Sequence, residues 1–134
     1  MSLQSIGSFS GGESIMAEIK AISGWCIEAR RKRDGITQEK LASAVGIAVR
    51  WLREIEGGNP KSSIEDHLRC ACGLGLSPGY LMIPMLFLGR QIRFPRELLL
   101  DHLDEMEQRC IDSVANFSLD DLARRLRPAG RGNA

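Results

Sequence analysis

The chain has 134 residues, room for one domain with a real hydrophobic core, and its 43% hydrophobic and 26% charged residues are ordinary for a globular protein. A formal net charge of +1 excludes a uniformly polyionic chain, but it does not exclude nucleic acid, because what matters is where the charge sits. Arg30, Arg31, Lys32 and Arg33 form an early basic run, and Asp101, Asp104, Glu105 and Glu107 a late acidic stretch.

Met1 to Gly12 are rich in Ser and Gly and lack the charged start and apolar stretch of a secretory signal. Residues 1–14 therefore read as a flexible tail. A helical stretch is expected over Glu13 to Ile22, where Ile15, Ile19 and Ile22 recur at helical spacing, with a break at Ser23-Gly24. A second helix runs from Trp25 to Arg33 and stops at Asp34-Gly35. Thr37 has the chemistry of an N-cap for a helix over Gln38 to Val45 that turns Leu41, Ala42 and Val45 inward and ends at Gly46. Ala48 to Glu56 form the next helix, with Leu52 and Ile55 inward, before the strong stop Gly57-Gly58-Asn59-Pro60.

Ser62 or Ser63 starts a helix burying Ile64, Leu68, Ala71 and Leu74, and Gly75 closes it. Ser77-Pro78 opens a short apolar helix through Leu81 and Met82. The longest apolar stretch, Tyr80 to Leu88, is interrupted by Pro84 and falls far short of the roughly 20 residues of a membrane span. After a loop around Gly89 to Pro95, a long helix is expected over Arg96 to Val114 and a short one after Ser118, where Ser118 and Asp121 have capping-box spacing. Pro128 ends the ordered chain and leaves residues 129–134 as a tail. Strand alternation is absent, so the fold class is all-α.

Cys26, Cys70, Cys72 and Cys110 include no pair with the two-residue gap typical of zinc sites. His67 lies one turn before Cys70, but the plainer reading is free cysteines used as small apolar residues in a reducing cytoplasm. No metal and no cofactor are expected. His67 and His102 are each alone, with no nucleophile, base and orienter in a recognisable arrangement, so an enzyme is not expected.

The informative stretch reads Gly35-Ile36-Thr37-Gln38-Glu39-Lys40-Leu41-Ala42, then Gly46-Ile47, then Leu52 to Glu56, then Gly58. Two short helices flank a tight turn, and the second, too short to stand alone, is fixed by Leu52 and Ile55 with its outer face free. With Arg31 four residues before Gly35, this stretch resembles the phage-repressor and Cro family of helix-turn-helix domains. The resemblance covers residues 25 to 82, continuing through Ile64, Leu68, Ala71, Leu74-Gly75 and Ser77-Pro78-Gly79-Tyr80-Leu81. It implies a five-helix repressor-like DNA-binding domain, placed over residues 15–88; residues 94–128, on which it says nothing, read from their own pattern as a C-terminal helical extension. Departures are Leu52 for the usual Ile, Ser62 for a common Pro, Arg30 at a usually apolar position, and Trp51 at the start of the recognition helix.

The resemblance implies a transcriptional regulator that reads duplex DNA with helix 48–56. Thr37 and Gln38 sit at the start of the leading helix, where side chain and free amides suit a phosphate. Ala48, Val49, Arg50, Trp51, Arg53 and Glu54 are the contact residues of the recognition helix. Arg50 suits guanine, Val49 a thymine methyl, Glu54 a cytosine amino group and Arg53 a phosphate. Arg50 and Glu54, four apart, also have the spacing of a plain surface salt bridge, and Trp51 that of a part-buried packing residue. The basic run Arg30 to Arg33 is either a phosphate clamp or a solvated face, except that the resemblance gives Arg31 a structural pairing with Glu56.

Leu99, Leu103, Met106, Cys110 and Val114 recur at spacings of four, three, four and four, a stripe suited to a partner helix and so to a homodimer. The same stripe also suits packing on the chain's own core. The second functional reading is an antitoxin-type DNA-binding module whose residues 94–128 hold a protein partner.

Overall fold

The computed structural model describes residues 9–127. Among them are seven helices and no strand: α1 Phe9–Arg33, α2 Gln38–Val45, α3 Val49–Glu56, α4 Ile64–Gly73, α5 Gly79–Gly89, α6 Leu98–Asp101 and α7 Leu103–Leu126. No helix among the described residues is long and apolar enough to cross a membrane. The chain divides into two compact units between Asp101 and His102.

In the first unit α1 is the central post. It packs against α3, α4, α5 and α6, while α2 packs on α3 and α4. Ile19, Ile22, Cys26 and Ile27 form its buried face, joined by Leu41, Ala42, Leu52, Ile55, Cys70, Ala71, Leu74, Tyr80 and Leu81. The expected break at Ser23-Gly24 is absent, and α1 also starts earlier, at Phe9. Both residues are consumed by packing. A Cβ on Gly24 would overlap the Ile55 carbonyl oxygen and lie 2.7 Å from that of Glu56, so glycine lets the end of α3 seat directly on α1. Residues 9–14 of the expected N-terminal tail belong to α1, while residues 1–8 and 129–134 of the expected tails lie outside the described residues.

Ser23 takes part in a buried polar cluster. Ser62 Oγ donates to the Asn59 carbonyl at 2.6 Å. That proton is then spent, so the 2.7 Å contact to His67 Nε2 has the imidazole as donor. His67 Nδ1 is therefore the acceptor, and Ser23 Oγ donates to it at 2.6 Å. Tyr80 Oη donates to the His67 carbonyl at 3.1 Å and lies 2.9 Å from Ser23 Oγ. One buried imidazole thus ties α1, the α3–α4 loop, α4 and α5 together. Burial and the Lys20 charge push its pKa down to about 4, against a smaller opposing effect of Asp66. Both ring nitrogens of His67 are thus committed to serines. His67 also takes the inward position expected of Leu68, which is 37% exposed.

Ser63 caps α4, its hydroxyl accepting from the Asp66 amide. The apolar helix after Pro78 runs through Pro84 to Gly89, longer than expected. Pro84 is buried, and removing one backbone donor from the ladder does not stop the surrounding apolar run from packing. The chain then folds back on the first unit. Phe94 is buried edge-on to Phe87 with ring centroids 5.1 Å apart. The Arg96 guanidinium lies 4.5 Å from the Trp25 ring centroid. Leu99 is buried, and Arg33 pairs with Asp101 at 3.0 Å and donates to the Leu100 carbonyl at 2.8 Å.

The C-terminal region departs from expectation in two ways. The helix expected over Arg96 to Val114 is interrupted at His102 (φ −124°, ψ 11°), which separates α6 from α7. Beyond it, α7 is continuous for 24 residues, and Ser118 lies inside it rather than capping a new helix. Pairs one turn apart, Glu105 with Arg109 at 2.7 Å and Asp121 with Arg125 at 2.8 Å, support it locally. The expected stripe is broken accordingly. Leu99 is buried on α6 in the other unit and Leu103 is buried, while Met106 is half-buried and Cys110 and Val114 are exposed.

Candidate nucleic-acid interface

The site is built on α2, the turn at Gly46 and α3. Thr37 has extended backbone (φ −75°, ψ 158°) and its Oγ accepts from the Lys40 amide at 3.1 Å, which fixes where α2 starts. Gly46 ends α2 in the left-handed region at φ 75°. A side chain there would meet open space, so the glycine is required by backbone conformation and not by crowding. The Ile47 amide then donates to the Ala42 carbonyl at 3.0 Å and closes the turn. Ala42, Leu52 and Ile55 are buried where α2 and α3 meet.

An eight-residue helix has no independent stability, so α3 is held from outside. Gly24 admits its C-terminal carbonyls to α1. Glu56, at its last position, accepts from Arg31 Nε at 2.6 Å and from Arg31 Nη2 at 3.0 Å, a two-pronged bond in which both side chains are buried. Arg31 Nη1 donates to the Ile36 carbonyl at 2.9 Å. Hydrogen bonding to Glu56 raises the Arg31 pKa further above its already high value. Trp51 is half-buried, and its indole N–H donates to Asp66 at 2.8 Å, bracing the start of α3 against the first turn of α4. Trp51 is thus a strut between helices, and its polar atom faces Asp66.

The remaining residues of α3 face outward. Arg50, Arg53 and Glu54 are exposed and Val49 is half-buried, behind an exposed Ala48 whose side chain makes no capping bond. Arg50 has no ion-pair partner among the described residues, and Glu54 accepts from Asn59 Nδ2 at 3.3 Å instead of from Arg50. Gln38 is half-buried and already engaged. Its Nε2 donates to Glu56 at 2.9 Å and its carbonyl accepts from Arg53 Nε at 3.2 Å.

No model of a protein family matches the chain, and comparison with curated proteins and with solved structures finds no match.

The basic run at the end of α1 divides by partner. Arg30 pairs with Asp34 at 3.1 Å, Arg31 with Glu56, Lys32 with Glu28 at 3.7 Å and Arg33 with Asp101 at 3.0 Å. Apart from Arg31 these pairs lie at the surface, so the run has the character of a solvated face. Among the described residues, no group of three or more His, Cys, Asp or Glu is placed to hold a metal. Cys26 and Cys70 are buried free thiols that burial raises to about 11, while Cys72 and Cys110 are exposed and free.

Sequence reasoning gathered Thr37, Gln38 and the α3 residues through the resemblance. It missed the Gln38–Arg53 bond, the Trp51–Asp66 bond and the Ser23–His67–Ser62 cluster. These join different elements, and no helical periodicity marks them.

Proposed function

We propose that the protein binds duplex DNA sequence-specifically and regulates transcription. On this reading α1 to α5 are a repressor-like helix-turn-helix domain, and α3 enters the major groove. The observation that carries it is the division of labour on α3: one side locked to α1 and α4 through Leu52, Ile55, Glu56 and Trp51, the other exposing Arg50, Arg53 and Glu54. A short, rigidly held helix with a polar outer face suits base-edge contact. Arg50, with no ion-pair partner among the described residues, is the guanine reader of this scheme, with Val49 and Glu54 beside it and the α2 start near phosphate. The work is binding and not catalysis, carried out in the cytoplasm.

Selection of binding sites from random duplexes tests this directly. The expected result is a defined site, with Arg50→Ala costing about 1–3 kcal/mol and relaxing preference at one base pair. No enrichment of any duplex would remove the reading. Unchanged preference in Arg50→Ala would remove Arg50 from it.

A partner role for the C-terminal unit accompanies it. Ile111, Val114, Phe117, Leu119, Leu122 and Leu126 are all at least half exposed on α7, more apolar surface than a lone helix ordinarily shows to water. A second copy of this chain is the occupant we propose, since paired domains read half-sites about one helical turn apart. An antitoxin-type module, with a different protein on the same face, is the second reading.

A further inference from the structure

We propose that Gln38 is a positioning residue for Arg53, and that the free edge of Arg53 takes two adjacent acceptors on the nucleic acid; it rests on the DNA reading above. A chain of alternating donors and acceptors runs from the buried core to the surface. Arg31 holds both oxygens of Glu56, at 2.6 and 3.0 Å. The oxygen that accepts at 3.0 Å, Oε1, also accepts from Gln38 Nε2 at 2.9 Å. That leaves Gln38 Oε1 as the only end of the amide able to face Arg53, and it accepts from Arg53 Nε at 3.2 Å. The amide has one permissible orientation. Turned over, it would set its carbonyl against the Glu56 carboxylate and its NH2 against a guanidinium that only donates.

What this does to Arg53 is specific. An exposed arginine ordinarily samples many rotamers and loses them on binding. Arg53 is tethered at Nε, the donor nearest its stem, so its guanidinium plane is set before a ligand arrives. Its Nη1 and Nη2 groups remain side by side without a partner among the described residues, and they form the end of the fork that meets paired acceptors. Arg50 has no comparable support. Two acceptor pairs on DNA match that edge: the oxygens of one phosphate, and O6 with N7 of guanine. The link also crosses the turn between α2 and α3, so the Arg31–Glu56 lock of the fold orients a contact residue on its surface. Gln38 therefore acts on the DNA through Arg53.

A double-mutant cycle on the full chain tests this, with Gln38→Ala, Arg53→Ala and the pair titrated against a selected duplex and an unrelated one. Arg53→Ala is expected to weaken binding by roughly 5- to 150-fold. Gln38→Ala should weaken it several-fold in the parent and not at all in the Arg53→Ala background. Equal loss on both duplexes, with the salt slope falling by about one, identifies phosphate; loss confined to the selected duplex identifies guanine. Thermal melts check that Gln38→Ala stays folded, as the Arg31–Glu56 bonds do not need it. An undiminished Gln38→Ala effect without Arg53, or no loss in Arg53→Ala, overturns the assignment. A parent that binds neither duplex overturns the DNA reading, and the role of Gln38 with it.

Discussion

Glu56 is the residue on which fold and surface meet. Its side chain is 2% exposed and accepts from both Arg31 and Gln38. Glu56→Ala would leave a buried guanidinium facing only the Ile36 carbonyl, and the expected loss is about 3–5 kcal/mol in chemical denaturation. Replacing Arg31 and Glu56 together by Met and Leu should recover part of it, since no unpaired charge then remains. A Glu56→Ala melt equal to the parent would show the pair to be dispensable. His67 makes a second residue-scale prediction, in pH. Its folded pKa of about 4 lies below the ordinary 6.5, so the fold favours the neutral ring. Stability from this group is full above about pH 6.5 and falls as the pH drops toward 4, where the unfolded chain binds the proton and the native one resists it. The total is on the order of 3 kcal/mol, flattening below pH 4. His67→Gln should remove this slope. Parallel parent and variant curves between pH 6.5 and 4 would contradict it.

At the scale of elements, Gly24 seats one helix on another from within a helix. In a solvated helix Gly24→Ala would stabilise by about 1 kcal/mol. Here the added methyl meets the last carbonyls of α3, and overpacking of that kind costs about 1–3 kcal/mol or more. The sign should therefore reverse, with a urea midpoint below that of the parent and α3 displaced from α1. Gly46→Ala meets no atoms and should cost only its backbone strain, about 1 kcal/mol. A Gly24→Ala protein as stable as the parent would mean that α3 does not seat where described. This also marks what was legible in the sequence. Thr37, Gly46, Ser63 and Gly75 signal boundaries through local backbone chemistry, and those boundaries fall within a residue of expectation. Ser23-Gly24 and Ser118 carry the same letters for other reasons, the first pair for tertiary packing and the last within an uninterrupted solvated helix. Leu68 and His67 exchange roles because a neighbouring serine on each side satisfies the imidazole. Ser23 is 44 residues away and Ser62 lies outside the helix, so periodicity ranked the leucine first.

For the whole molecule, α7 presents a long exposed apolar face. Its 24 residues span about 36 Å, and from Gln108 onward every side chain except Asp121 is exposed. The expected dimer stripe began at Leu99, but that residue belongs to the first unit. The usable face lies further along, through Ile111, Val114, Leu122 and Leu126, with Phe117 and Leu119 at its flanks. Positions 111, 114, 115, 118, 122 and 126 share one side of a helix, and only Ser118 among them is polar. A second copy covers this face twice over, and two tethered DNA-binding units gain affinity without any new contact to DNA. Val114→Asp with Leu122→Asp should therefore yield a monomer, folded by circular dichroism, that binds a selected duplex far more weakly. Removing residues 102–134, which leaves Leu99 and the Arg33–Asp101 pair intact, should give the same result. Sedimentation of parent and variants at micromolar concentration is the measurement. A parent that is monomeric, or a double variant that still dimerises, would take the face out of self-association. A small protein co-purifying with the parent and lost from the double variant would assign that face to an antitoxin-type partner instead.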